Sequence, residues 1–220
     1  MKFFNLHTHH FTGNSDIFEL VNQYPLEFDA AVPNYSIGLH PWKINLKTLE
    51  DELSIIERKL NEPNCLALGE CGLDKRIEIP LDIQISVFEK QLTLAQQYQK
   101  PVVIHCVAAF GEVIACRKRL KVSVPMIIHG FSKNTQTAKQ LLDHGFYLSF
   151  GKYLLQNPEL EEVFKSVPND RFFLETDTIE EDISAVYALA ANYKKLNDEQ
   201  LHDVIGENFN AVFSNNLTIE

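Results

Sequence analysis

The sequence predicts an α/β fold, a TIM-type (β/α)8 barrel, in one domain spanning residues 1–220. Two observations lead there. Strand-like and helix-like runs alternate along the chain, which implies right-handed βαβ units and a parallel sheet. Several strand-like runs are also continuously apolar, as in Pro101-Val102-Val103-Ile104-His105. That is how strands buried on both faces of a parallel sheet read. Seven such runs are distinct, and an eighth near Ile17 would close a barrel.

The elements come in order. Residues 3–9 read as a first strand. Ile17-Phe18-Glu19-Leu20-Val21 suits a short strand or a turn of helix, and Pro25 and Pro33 break the segment after it. Tyr35 to Trp42 reads as a strand ending in a turn. Leu49, Leu53, Ile56 and Leu60 recur at helical spacing, so residues 46–60 form a helix. Cys65 to Glu70 is a short strand closing on a carboxylate. Residues 82–99 carry Ile85, Phe88, Leu92 and Ala95 on one helical stripe. A strand over 101–105, a helix over 110–121 and a strand over 124–129 come next. Residues 134–144 suit a helix, with Gly145 as its natural stop. Residues 146–150 form a strand, 158–167 a helix, and 171–177 a last strand ending in carboxylates. Helices over 180–196 and 198–214 close the chain. No linker, low-complexity segment or internal repeat divides it.

Composition narrows the class. Apolar residues make up 45% and charged residues 23%, ordinary for a soluble globular protein. No apolar run reaches the length of a membrane span, and no basic segment precedes an apolar one as in a signal peptide. Cys65, Cys71, Cys106 and Cys116 form no CxxC pair or zinc-ribbon spacing. Free thiols imply a reducing, cytoplasmic setting. The net charge of −10 argues against broad phosphate neutralisation of duplex nucleic acid. It leaves room for a phosphate ester in a pocket where bound cations supply positive charge.

The chemistry concentrates in six residues: His7, His9, Glu70, His105, His129 and Asp177. Each stands at or just beyond the end of a strand-like run. In an extended strand His7 and His9 point the same way. In a barrel the strand ends gather on one face, where active sites lie. Taken singly, each residue has an ordinary reading, as a hydrogen-bonded histidine or a helix cap. Together, four imidazoles and two carboxylates exceed what one tetrahedral ion uses. Two divalent ions with a bridging carboxylate fit the count better.

Seven short motifs carry a resemblance. They are Asn5-Leu6-His7-Thr8-His9, Gly38-Leu39-His40-Pro41, Gly69-Glu70-Cys71-Gly72-Leu73-Asp74, Pro101-Val102-Val103-Ile104-His105, Ile128-His129-Gly130-Phe131-Ser132, Leu148-Ser149-Phe150-Gly151 and Leu174-Glu175-Thr176-Asp177. Gln84, Phe88, Gln91 and Leu92 add a helix pattern. In this order the chain resembles the TatD family of metal-dependent hydrolases, among the amidohydrolase-like barrels. The resemblance implies one to three divalent cations and deoxyribonuclease activity, often of the 3′–5′ exonuclease type. It implies that His7, His9, Glu70 and Asp177 bind one ion and that Glu70, His105 and His129 bind a second, Glu70 bridging. Asp177 would orient the attacking water and accept its proton, so Asp177 and Glu70 are the catalytic pair. His40 would reach the substrate phosphate, support a ligand or shape the His-Pro turn. Glu175 would hydrogen-bond a ligand histidine or be a buried, paired carboxylate. Asp74 would fix the loop after Glu70. Trp42 would stack on a base or pack against its neighbours. Mixed imidazole and carboxylate ligation suits Zn²⁺, Mn²⁺, Fe²⁺ or Co²⁺ better than Mg²⁺, although Mg²⁺ often serves this family.

The chain departs from the family in three places. Between His9 and Gly38 the first helix is missing or the second strand is reduced, so the barrel is shortened and distorted there. After Asp177, Thr178 and Ile179 lead into an acidic run and then a helix, without the family's long loop. Cys106 and Val107 come after His105, where the family carries an arginine. All three remove contacts of the kind that hold a DNA backbone. The expected activity is therefore metal-dependent hydrolysis of DNA ends or small phosphodiesters. The alternatives are a hydrolase of C–N or ester bonds on the same barrel and a non-catalytic metal-binding scaffold. No membrane association or obligate protein partner is expected.

Overall fold

The computed structural model of the chain describes residues 2–179 and 181–213. Eight strands hydrogen-bond in chain order. They are β1 (Phe3–Thr8), β2 (Ile17–Gln23), β3 (Tyr35–Ile37), β4 (Cys65–Asp74), β5 (Val102–Val107), β6 (Met126–Ile128), β7 (Phe146–Phe150) and β8 (Phe172–Leu174). The helices are α1 (Leu49–Leu60), α2 (Leu81–Gln97), α3 (Phe110–Leu120), α4 (Thr135–Asp143), α5 (Lys152–Gln156), α6 (Leu160–Ser166), α7 (Ile183–Lys194) and α8 (Asp198–Phe213). The segment after β8 returns to β1. The Asp177 N–H donates to the His7 carbonyl at 2.9 Å, and the His9 N–H donates to the Asp177 carbonyl at 3.1 Å. Eight parallel strands in a nearly closed barrel, alternating with helices, are the predicted fold class. None of the helices among the described residues is long and apolar enough to cross a membrane.

The chain folds as two compact units, residues 1–21 with 128–220, and residues 22–127. In the first, Phe4 of β1 packs edge-on against Phe173, Phe209 and Phe213. Its backbone is held at both polar groups by one side chain. The Tyr187 hydroxyl accepts from the Phe4 N–H at 3.1 Å and donates to the Phe4 carbonyl at 3.0 Å. Asn134 caps α4 by accepting from the Thr137 N–H, and Gly145 takes the left-handed conformation that ends it. The helix α5 after Gly151 is one that the sequence reading does not contain. Helices expected to open at residue 180 and to close at 214 run over Ile183–Lys194 and Asp198–Phe213. Their expected ends at 180 and 214 lie outside the described residues.

The stretch near Ile17 is a strand. Phe3, Phe4 and Asn5 pair in register with Ile17, Phe18 and Glu19, which suits β-branched and aromatic residues on a pleated surface. Among the described residues no helix joins β1 to β2. A loop takes its place, tied down where the Thr12 N–H and hydroxyl both donate to the buried Glu19 carboxylate. Burial is the main influence on that carboxyl and raises its pKa.

In the second unit, Leu53, Ile56 and Leu60 of α1 and Val87, Phe88, Leu92 and Ala95 of α2 are buried. β4 is longer than the sequence suggests, running on past Glu70 through Gly72 to Asp74. Gly72 serves close strand pairing. It lies opposite His105, and a Cβ on it would meet the His105 carbonyl oxygen at 2.0 Å. Its φ of +146° is also one that side-chain-bearing residues rarely adopt.

Candidate metal sites

In the first unit, β1 presents His7 and His9, β6 leads into His129, and the turn after β8 presents Asp177. Asn5 sets the register. Its amide oxygen accepts from the Thr176 N–H at 3.0 Å while its amide nitrogen donates to the Thr176 hydroxyl at 2.8 Å. Asp177 comes directly after, in the left-handed region at φ +57°, where few residues other than glycine sit. Its Oδ1 lies 3.8 Å from His7 Nε2 and 3.5 Å from His9 Nε2. The His7 and His129 ring centroids are 4.3 Å apart. His7, His129 and Asp177 each offer a ligand atom, all within 4.8 Å of one another. Glu175 stands behind His129. Its Oε1 accepts from the Gly130 N–H at 2.6 Å and lies 3.5 Å from His129 Nδ1.

In the second unit, His40, Glu70 and His105 form a similar group, again within 4.8 Å. Glu70 is only 3% exposed. His105 Nδ1 lies 3.0 Å and His40 Nε2 3.2 Å from its Oε1. His40 Nδ1 accepts from the Trp42 N–H at 3.1 Å, so a neutral His40 carries its proton on Nε2 and donates it to Glu70. On its far side His105 Nε2 is 3.6 Å from Asp74 Oδ2. Burial would raise the Asp74 carboxyl. Hydrogen bonds from the Trp42 indole and the Arg76 N–H, with the nearby His105, outweigh it and leave the pKa below the usual value.

Two glutamines of α2 hold this group's backbone. Gln91 accepts from the Leu39 N–H and donates to the Leu39 carbonyl, fixing the residue before His40. Gln84 does the same for Asp74, accepting from its N–H and donating to its carbonyl. The motif pattern includes both glutamines without a role. Nothing in the sequence marks Asn22, whose side-chain oxygen accepts from the Glu70 N–H. The structure places His129 in one group with His7 and Asp177. It places His40, expected to meet the substrate or to play a supporting role, in the other with Glu70 and His105. Asp74, expected in a loop, ends β4. Trp42 is 63% exposed.

The donor chemistry of both groups fits divalent cations. Neutral imidazole nitrogen with carboxylate oxygen suits Zn²⁺, Mn²⁺, Fe²⁺ or Co²⁺. The nearby thiols add nothing, because burial pushes the Cys71 thiol well up and Cys65 to about 12, far from the thiolate a metal takes.

The family model described as TatD related DNase matches residues 2–214. The chain belongs to this family. Among TatD relatives, an uncharacterized metal-dependent hydrolase of Bacillus subtilis, YabD, is 32% identical over 163 residues, 72% of this chain and 61% of its own. The 3′-5′ ssDNA/RNA exonuclease TatD of Cronobacter turicensis is 33% identical over 147 residues, 64% of this chain and 55% of its own. The chain thus spans less than two thirds of the length of these relatives. Two TatD crystal structures share the fold. YJJV, a TatD homolog from Escherichia coli, superposes with a TM-score of 0.82 at 20% identity, covering 96% of this chain and 97% of its own. A TatD family hydrolase from Entamoeba histolytica superposes with a TM-score of 0.81 at 19% identity, covering 96% and 98%.

Proposed function

We propose that the chain is a divalent-metal-dependent hydrolase that cleaves phosphodiester bonds at nucleic acid ends or in small nucleotides. The observation that carries this reading is the compact group of His7, His129 and Asp177, whose ligand atoms lie within 4.8 Å of one another, in a TatD chain whose buried Glu70 pairs with His105 at 3.0 Å. A relative named as an exonuclease supports nucleic acid as the substrate class. Two cations are proposed, drawn from Zn²⁺, Mn²⁺, Fe²⁺, Co²⁺ or Mg²⁺. His7, His9, His129 and Asp177 are proposed as ligands from one unit, and Glu70 and His105 from the other.

Bound cations supply Lewis-acid charge and lower the pKa of water. Asp177 is the proposed general base. It is partly exposed, with a side-chain accessibility of 22%, so water reaches a carboxylate whose backbone is pinned to His7 and His9. It accepts the proton of the attacking water. Glu70 holds a buried negative charge against two imidazoles. His40 steadies Glu70 through its Nε2–H. Returning that proton to Nδ1 would set it against the Trp42 N–H, so His40 acts as a positioning donor.

The test is metal content of the purified protein together with cleavage of a 3′-labelled single-stranded oligonucleotide, for wild type and Asp177→Asn. Bound metal in both and cleavage lost in Asp177→Asn are expected. Absence of metal after reconstitution would overturn the metal reading. Bound metal with no hydrolysis of the oligonucleotide or of bis(p-nitrophenyl) phosphate would overturn the phosphodiesterase.

A further inference from the structure

Trp42 is the single tryptophan of the chain, and it is held in an unusual way. It is 63% exposed, yet two hydrogen bonds and two ring contacts fix its orientation. The indole Nε1–H donates to Asp74 Oδ2 at 2.7 Å, and the backbone N–H donates to His40 Nδ1 at 3.1 Å. The ring stands edge-on to His40 and His105, at interplanar angles of 85° and 76° and centroid distances of 5.0 and 5.7 Å. The anchor is itself rigid. Asp74 is buried, accepts from the Arg76 N–H, and has both its backbone groups held by Gln84.

A buried carboxylate that also lies 3.6 Å from His105 Nε2 thus orients a ring that stays in water. Packing does not account for this, since a tryptophan serving the core would bury its area. A ring with two side-chain torsions, already fixed, loses little entropy when a second ring lies on it. The ring touches both imidazoles that flank Glu70, so whatever stacks on it lies beside that group.

Resting on the phosphodiesterase reading, we infer that Trp42 is the stacking platform for the nucleobase next to the scissile phosphodiester. The platform selects substrates that carry a planar aromatic ring. It does not choose among bases, because every base has a face to stack. A sugar phosphate without a base fits the cations but misses this contact. On this account Asp74 is a positioning residue, which acts through the indole.

The single tryptophan makes the test direct. The metal-loaded full-length protein is titrated with thymidine 5′-monophosphate and, separately, with 2-deoxyribose 5-phosphate. Tryptophan emission and calorimetric heat are recorded together. Saturable quenching by the nucleotide and none by the sugar phosphate is expected. Trp42→Leu is expected to weaken nucleotide binding about tenfold, the scale of one base–aromatic stack, while the affinity for sugar phosphate changes little. Trp42→Phe, which keeps a ring but loses the Asp74 bond, falls between. Nucleotide that binds without altering the emission would overturn the inference. So would equal weakening of both ligands in Trp42→Leu, which is what a purely structural role for the indole predicts. Failure of the underlying reading looks different: wild type would cleave no phosphodiester, while the nucleotide would still quench the indole.

Discussion

The side-chain oxygen of Asn22 accepts the Glu70 N–H at 2.7 Å, with both residues buried. A residue on β2 thereby fixes the backbone that carries the buried carboxylate. Asn22→Leu removes the acceptor and leaves that N–H without its partner. Stability should fall by about 1–3 kcal/mol, read as a lower urea midpoint with unchanged slope. Bound metal should fall as Glu70 loses its orientation.

Glu175 Oε1 stands 3.5 Å from Nδ1 of His129, a proposed ligand. Glu175→Gln keeps an oxygen for the Gly130 N–H but removes the charge beside His129 Nδ1. Partners of this kind change metal affinity by about 10- to 100-fold. Competition with a chelator should show a loss in that range while the melting temperature moves little.

Gly151 sits where the Glu175 backbone comes close, so its lack of a side chain matters. A Cβ there would stand 2.3 Å from the Glu175 carbonyl oxygen and 2.9 Å from its Cγ. Gly151→Ala should destabilise the protein by about 1–3 kcal/mol. It should also displace Glu175, so thermal melting and metal retention should fall together.

Lys194 gives a pH dependence with a definite sign. Its ammonium donates to the Val167 carbonyl and lies over Phe164 and Phe172, and burial pushes its pKa down to about 8 from 10.5. Between those values the unfolded chain holds a proton that the folded chain has released, so stability rises with pH through that window. The contribution is complete above 10.5 and is lost as pH falls through 8. Lys194→Met should abolish this rise. At neutral pH it should stabilise by on the order of 1 kcal/mol, discounted for the half-exposed position and the lost hydrogen bond. Urea titrations at a series of pH values measure both effects.

The sequence displays what depends on local spacing. His7 and His9 share a face because strands alternate, and Val102 to Ile104 read as a buried strand from their branching alone. Other features depend on distant partners. The five residues from Ile17 are too few for periodicity to decide between strand and helix, and pairing with β1 decides it. The extension of β4 beyond Glu70 is hidden because Gly72 resembles a breaker, and only the close approach of β5 explains it. Asn22, Gln84 and Gln91 act on backbone groups 48, 10 and 52 residues away. Nothing in the sequence marks Asn22, and the helix pattern that includes Gln84 and Gln91 does not show which backbone groups they hold. The exposure of Trp42 likewise depends on which neighbours the fold brings to it.

The clamp between Phe4 and Tyr187 has a consequence for how the protein is made. The two residues are separated by 183 positions, and Phe209 and Phe213, which also cover Phe4, come later still. β1 therefore waits for α7 and α8 before it is covered. At about 5–20 residues per second that delay is on the order of ten to forty seconds. Throughout it, Phe3, Phe4 and Leu6 form an apolar strand that lacks its final neighbours. Nascent chains halted before residue 187 should engage hold-type chaperones through this N-terminal segment, and chains carried past residue 213 should let them go.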